Sequence, residues 1–313
     1  MMDQHIIKDG AVAALAFTAL VFASLLIPFL LLVLIFFLPI PLVLFTYKYG
    51  WKAGSVSALA AFTILLLLIG PLAPPVLLLF MISGIVIGEL YRRGEPAFGV
   101  YAGAALSIIG GIVLTYAGVM ALTDADPVGQ FQTVMEESLD STGGVLGLDP
   151  AEEEEAVDLM MAFIDGLSVI VPAIMVITGG IVALITQLTS AWMLRKRSAD
   201  IPGFPPLREW SLPKSFIWYY LIVLILSFIN RSEGGEGTLN LLSENLMAVM
   251  GLLMVVQGIA FLFFFFHLKR LSIVLPVLIT LSMVVFPFML PIIRILGIID
   301  LGFDLRTRLQ SQR

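Results

Sequence analysis

Four polar side chains lie at neighbouring ends of two long apolar runs, and their chemical types suit ligand binding. Thr115 and Tyr116 fall late in one run, and Asp165 and Ser168 fall early in the next. Hydroxyl, phenol and carboxylate groups in apolar surroundings are costly unless they hydrogen-bond to each other or to a ligand. We therefore treat these four residues as a candidate ligand-binding site. The alternative is that the tyrosine anchors a membrane interface and the aspartate is hydrated.

The chain carries no pattern that is typical of catalysis or metal binding. Its two histidines, His5 and His267, are far apart and neither has metal-ligand spacing. Patterns of the GxSxG, HExxH and P-loop types are absent. The chain has no cysteine, which excludes disulfides, thiolate metal sites and a cysteine nucleophile. We therefore expect no enzyme, no catalytic residue, no metal and no cofactor.

Composition indicates a membrane protein. Of the 313 residues, 59% are hydrophobic and 13% are charged, which is more apolar surface than a soluble core of one or two domains can bury. The net charge of −6 comes from acids concentrated in one segment, so it does not indicate a basic partner. Membrane lipid is the expected surrounding, and nucleic acid is not an expected partner.

Lysine and arginine are missing from Gly94 to Leu194, and this gap predicts the orientation of the chain. Within it, twelve carboxylates cluster between Thr123 and Asp165, and we name residues 123–160 the acidic insert. Cytoplasmic loops keep Lys and Arg, whereas translocated loops avoid them. The acidic insert is therefore predicted to be extracytoplasmic. The same rule places the N-terminus in the cytoplasm, in a bacterial inner (cytoplasmic) membrane.

A helix needs about 20 apolar residues to cross the hydrocarbon, and the apolar runs predict about 9–10 crossings. Residues 11–46 fit two helices with a turn near Pro28. Residues 271–300 carry three prolines and fit either a hairpin or one long kinked helix, and the basic tail favours the hairpin. The predicted fold class is an all-α polytopic transmembrane helical bundle. The remaining runs are 53–70, 76–91, 97–122, 161–194, 215–229 and 244–268.

The end of the acidic insert carries the start signal of a helix. Asp149 can cap it, Pro150 suits its first position, and glutamates follow in its first turn. Apolar residues from Val157 onwards continue at helical spacing. This pattern predicts an amphipathic outer helix that runs straight into the span ending near Leu194.

Small residues at intervals of four predict where helices pack closely. Since lipid provides no hydrophobic drive for association, helices pack where small residues let their backbones approach. The same arrangement also suits the wall of a cavity, so both a dry packing seam and a ligand cavity remain open. The residues are Gly84 and Gly88 in one run and Gly99, Gly103, Ser107 and Gly111 in the next.

The longest inner loop, residues 195–214, is basic and rich in proline. Its four prolines prevent a continuous helix and favour extended or polyproline geometry. Phe204, Arg208 and Trp210 combine apolar and basic side chains and form a candidate docking site for a cytoplasmic partner. The alternative is that the loop lies on anionic lipid headgroups.

Arg294 is the most unusual charge in the chain because apolar residues surround it on both sides. A guanidinium in such a position either reaches back to the membrane interface or pairs with a buried acid. Asp300 is the acid that we expect it to contact in the second case.

Three segments carry a resemblance to a known family: "LPIPLVLFTYKYGWKAG", "PPLREWSLPK" and "LGIIDLGFDLRTR". With them, the chain resembles the YybS-type bacterial membrane proteins of the DUF2232 family. That family is grouped, at a distance, with the substrate-binding S components of energy-coupling-factor vitamin transporters. The resemblance implies a six-span S-component-like membrane domain over residues 1–194. The cytoplasmic loop 195–214 and a smaller C-terminal half, residues 215–313 with a short cytoplasmic tail, would then follow.

Two features depart from the S-component plan, namely the crossings after residue 214 and the acidic insert. The expected function is nevertheless transporter-like, with a small hydrophobic or amphipathic ligand bound from the extracytoplasmic side. The alternative is a non-transporting scaffold or regulator that organises envelope or signalling proteins. Its partners would be cytoplasmic or membrane proteins.

Overall fold

The computed structural model describes residues 4–70, 74–123, 129–135, 137–138, 159–160, 162–164, 166–232 and 237–311. Every regular element within these ranges is a helix. Large apolar side chains such as Leu67, Phe228 and Val284 are exposed, as helix faces turned towards lipid require. The predicted all-α transmembrane bundle is confirmed.

The long helices before the inner loop include most of the strongly apolar runs. Among the described residues, five helices are long and apolar enough to cross a membrane, and four of them are α1, α4, α6 and α7. The bounds are α1 Gln4–Leu26, α2 Pro28–Leu34, α3 Ile40–Tyr49, α4 Trp51–Ile69, α5 Pro74–Arg92, α6 Ala97–Thr123 and α7 Val171–Lys196.

The C-terminal helices begin after the inner loop. The first of them is α8, and the fifth helix that meets the length and composition needed for crossing is α9. The bounds are a 3-10 turn at Leu207–Glu209, then α8 Phe216–Ser232, α9 Thr238–Leu268, α10 Val274–Val285, α11 Met289–Phe303 and α12 Leu305–Ser311.

The helix before Leu194 differs from the prediction. Residues 166–169 are helical, Ile170 forms a turn, and α7 begins only at Val171. Pro172 has no backbone N–H, so it cannot donate to the carbonyl one turn earlier, and the helix breaks. The expected straight continuation into the span is therefore wrong at this point. Residues 141–158, where that outer helix was predicted to begin, lie outside the described residues.

The chain divides into two compact units. The first contains Met1–Leu159 and Met175–Phe204, and the second contains Met160–Ile174 and Pro205–Arg313. The boundary thus lies inside the inner loop, between Phe204 and Pro205. A short segment that ends with the first residues of α7 belongs with the C-terminal helices.

In the first unit, α1 and α3 lie side by side as a hairpin. Lys48 Nζ lies 2.9 Å from Asp9 Oδ2, and the Tyr49 hydroxyl donates a 2.6 Å hydrogen bond to the same oxygen. The start of α1 and the end of α3 therefore share one end of the unit, as the hairpin predicted for residues 11–46 requires. The core behind this hairpin contains Phe17 and Leu42, both fully buried.

In the second unit, α11 packs against α9 and runs parallel to it. A Cβ added at Gly297 would collide with the Met254 carbonyl, and one added at Gly251 would lie 3.0 Å from the Arg294 guanidinium. Residue numbers therefore increase in the same direction along α9 and α11. Because α9 and α11 run in the same direction, the chain reverses in α10, which favours the hairpin reading of residues 271–300.

Candidate functional site

The predicted ligand residues are divided between the two units. Thr115 and Tyr116 lie in the last third of α6, in the first unit, and both are partly buried. Ser168 belongs to the second unit and is also partly buried. Asp165 lies outside the described residues. The four residues therefore stay a predicted site.

Ser168 lies beside a break in the helix. A side chain of α9 supplies the hydrogen bonds that the broken turn lacks. The Asn245 side-chain oxygen accepts a 2.7 Å hydrogen bond from the Ala173 N–H. The same amide donates 2.8 Å to the Val169 carbonyl. Val169 and Ala173 are four residues apart, so one side chain replaces the lost backbone hydrogen bond of the broken turn. The sequence reasoning missed Asn245, although a polar amide in an apolar run near a proline break was the available signal.

A groove on the first unit is a candidate cavity for a small ligand. It encloses about 460 Å³ between α1 and α3, with the end of α7 at one rim. Its walls are apolar and include Val12, Ala16, Leu20 and Leu44. Pockets of about 300–1,000 Å³ with mostly apolar walls suit small ligands. We name this cavity the α1–α3 groove.

One end of the α1–α3 groove is charged. Asp9, Lys48 and Tyr49 form the hydrogen-bonded cluster described above, and Arg197 lines the same end. Arg197 has no carboxylate within 4.0 Å among the residues that the structure describes. One carboxylate and two cations leave a net positive charge there. The groove therefore combines an apolar channel with a cationic end.

The predicted packing glycines on α5 lie against α3. A Cβ added at Gly84 would lie 2.9 Å from the Pro39 carbonyl oxygen, and one at Gly88 would lie 2.7 Å from that of Val43. Backbone atoms cannot yield as a flexible side chain can. These two positions hold α5 and α3 in direct backbone contact.

The predicted packing residues on α6 face α5 at two positions. Gly103 lies against Leu90, and a Cβ at Gly111 would lie 2.7 Å from the Leu79 Cβ. Ser107 donates a hydrogen bond within its own helix, and Gly99 faces the turn before α6. Leucine side chains therefore fill the α5–α6 seam where the glycines leave room.

The predicted docking residues also fall in both units. In the first unit, the Phe204 ring packs edge-on against Phe98 of α6, with ring centroids 5.3 Å apart. In the second unit, the Trp210 indole N–H donates a 2.9 Å hydrogen bond to the Pro205 carbonyl. Arg208 Nε lies 3.7 Å from Glu209 Oε1. Pro206 has φ −58° and ψ 146°, which is the predicted polyproline geometry.

Asp300 pairs with Arg306 and not with Arg294. Arg306 Nε lies 3.0 Å from the buried Asp300 carboxylate, which also accepts a 2.6 Å hydrogen bond from the Gln257 amide. The Arg294 guanidinium lies against Gly251 instead, and its Nε is buried without a hydrogen-bond partner among the described residues. Of the two alternatives for Arg294, pairing with Asp300 is therefore wrong, because the Arg306 guanidinium of α12 pairs with that carboxylate.

The same network holds the inner loop to the helices of the second unit. The Gln257 side-chain oxygen accepts a 2.9 Å hydrogen bond from the Leu212 N–H, and Arg306 donates a 3.1 Å hydrogen bond to the Arg208 carbonyl. At its outer edge, Lys214 lies 2.6 Å from Asp304 and its hydrogen bond holds the pKa of Asp304 below the usual value. The backbone of the loop is thus hydrogen-bonded to side chains of α9 and α12.

Comparison with known proteins agrees with this architecture. The family described as "Predicted membrane protein (DUF2232)" matches residues 15–301. The chain is 26% identical over 312 residues to "Uncharacterized protein YybS" of Bacillus subtilis (strain 168), covering 99% of this chain and 100% of that protein. No solved structure matches the chain. The chain therefore belongs to the DUF2232 family of predicted membrane proteins.

Proposed function

We propose that this integral membrane protein is transporter-like and binds a small hydrophobic or amphipathic ligand. The observation that supports the proposal is the α1–α3 groove, with apolar walls and a cationic end. An apolar ligand gains free energy along such walls, roughly 25 cal/mol for each Å² removed from water. A polar or anionic headgroup would lie near Lys48 and Arg197.

The proposal includes a side from which the ligand arrives. Thr115, Tyr116, Asp165 and Ser168 stay its candidate contacts on the extracytoplasmic side. By the charge pattern, the N-terminus, and with it the charged end of the groove, would lie on the cytoplasmic side of a bacterial inner membrane. A transporter needs access from both sides of the bilayer, and these two regions would supply it.

Filling the groove tests the proposal. Ala16→Trp puts a large ring into the α1–α3 groove, whereas Ala60→Trp puts the same ring on an exposed position of α4. Protein purified in mild detergent would be analysed by native mass spectrometry for a bound small molecule. We expect wild type and A60W to retain the molecule and A16W to lose it. Equal retention by all three would refute the groove as the binding site.

A scaffold or regulator of membrane or envelope proteins is the second candidate function. The filled α5–α6 seam favours it, because Leu79 and Leu90 occupy the space beside Gly111 and Gly103. A scaffold should co-purify a protein partner, and Ala16→Trp should leave that partner in place. A transporter should lose its small molecule in the same variant.

A further inference from the structure

A second cavity in the first unit has a different chemical character from the α1–α3 groove. It encloses about 520 Å³ where the ends of α5 and α7 meet the start of the inner loop. Tyr91 and Phe204 contribute aromatic walls, and Trp192, Arg195 and Lys196 contribute one turn of α7. We name it the α7 basic cavity.

The two cations of this cavity are held by groups that leave their charge uncompensated. Lys196 Nζ lies 3.7 Å from the centroid of the Trp192 ring, a cation–π contact. A Cβ added at Gly203 would lie 2.6 Å from Arg195 Nη2, so the glycine lets the guanidinium lie against the loop backbone. Neither cation has a carboxylate within 4.0 Å in the part of the chain that the structure describes.

The α7 basic cavity lies at the C-terminal end of α7. The C-terminal end of the α7 dipole is negative and interacts favourably with cations. This interaction is one structural reason for basic residues at this position. The dipole does not account for the cavity or for its aromatic walls. The Trp192 side chain is 51% exposed at the same helix end, where tryptophan commonly marks the level of lipid headgroups.

We propose that the α7 basic cavity binds the phosphate headgroup of an anionic phospholipid. Arg195 and Lys196 would contact the phosphate oxygens, and Trp192 and Phe204 would contact the glycerol and the first methylenes. Arginine presents several N–H donors that fit phosphate oxygens, and lysine adds a point charge. This proposal does not depend on the α1–α3 groove.

Lipid titration of the full-length protein tests the assignment. Protein stripped of lipid in mild detergent would be titrated with phosphatidylglycerol or with phosphatidylcholine of the same acyl chains, and bound lipid counted by native mass spectrometry. We expect wild type to prefer phosphatidylglycerol. In the double variant Arg195→Gln plus Lys196→Gln, affinity for this lipid should fall roughly thirtyfold, about fivefold for each basic side chain.

The chain offers a matched control for charge alone. Lys269 and Arg270 form another adjacent basic pair after a helix, with Lys269 5.9 Å from the Phe265 ring centroid. Neither residue lines the α7 basic cavity. Lys269→Gln plus Arg270→Gln should keep the preference, as should the charge-keeping pair Arg195→Lys plus Lys196→Arg. A control that loses as much affinity as the test variant would overturn the proposal.

Two further outcomes separate the sources of the anion. Glycerol phosphate, which has the headgroup chemistry but no acyl chains, should bind far more weakly than phosphatidylglycerol. If glycerol phosphate bound as tightly as phosphatidylglycerol, the cavity would be a site for a water-soluble anion, and the proposal of a lipid ligand would be overturned. Equal binding of the two phospholipids by wild type would overturn the headgroup site. Loss of the groove ligand in A16W leaves each of these results unchanged, so the two proposals fail independently.

Discussion

The Asp300 carboxylate accepts a 2.6 Å hydrogen bond from the Gln257 amide, and both side chains are buried where α11 packs on α9. Arg306 of α12 completes the charge pair, and the Gln257 side-chain oxygen accepts a hydrogen bond from the loop backbone at Leu212. A buried carboxylate, an amide and a guanidinium therefore join the helices α9, α11 and α12 and the inner loop. The stability of the second unit should depend on each of these partners.

We predict that Asp300→Asn destabilises the protein by about 3–5 kcal/mol, because Arg306 would keep a largely buried charge without its partner. Gln257→Leu should cost less, roughly 1–3 kcal/mol, since it leaves the Leu212 N–H unsatisfied. Thermal unfolding in detergent measures both. The control is Lys214→Gln, which removes an exposed ion pair to Asp304 and should change little. Equal losses in all three variants would contradict the network.

The glycine at the helix crossing gives a second prediction. Gly297→Ala should destabilise the protein by about 1–3 kcal/mol, because the new Cβ meets the Met254 carbonyl and the Gly258 backbone nitrogen. On the same helix, Gly302→Ala meets nothing closer than the Ile217 side chain at 4.0 Å. That control should be neutral or slightly stabilising, since alanine favours the helix. Equal unfolding temperatures for the two variants would argue against the parallel α9–α11 contact.

Asn245 gives a third prediction, because its amide replaces the hydrogen bond of the broken turn. Asn245→Leu should cost about 1–3 kcal/mol by leaving the Val169 carbonyl and the Ala173 N–H without their partner. In a Pro172→Ala background the helix can straighten and satisfy these groups itself, so the cost should be smaller. A double-mutant cycle of unfolding free energies measures this coupling. A coupling energy of zero would refute the repair role.

Hydropathy predicted the helices well, because a helix that contacts lipid along its length needs a continuous run of apolar residues. It did not predict the break at Ile170, since a break depends on which neighbour satisfies the freed backbone groups. Asn245 is such a neighbour, and it lies 72 residues from Ala173 along the chain. The hairpin of residues 271–300 was favoured by the charge of the tail, and the parallel contact of α11 with α9 adds a structural reason for it.

The candidate sites were harder to predict than the helices. The small residues of α5 and α6 indicated close contacts but not their partners, which are α3 for Gly88 and α5 for Gly111. The α1–α3 groove has no motif, because it arises from the shapes of two helices and the charges at their ends. Pairing of Arg294 with Asp300 was one of two alternatives from the sequence, and in the structure Arg306 of α12 contacts the carboxylate instead.

The orientation of the chain decides on which side each proposed access lies, so its measurement is the most direct test. The protein has no cysteine, so Glu153→Cys in the acidic insert and Arg308→Cys in the tail each introduce a single thiol. In intact cells, an impermeant maleimide should label the thiol at position 153 at once. The thiol at position 308 should react only after lysis. Labelling of position 308 in intact cells, with position 153 protected until lysis, would contradict the orientation and the ligand path that depends on it.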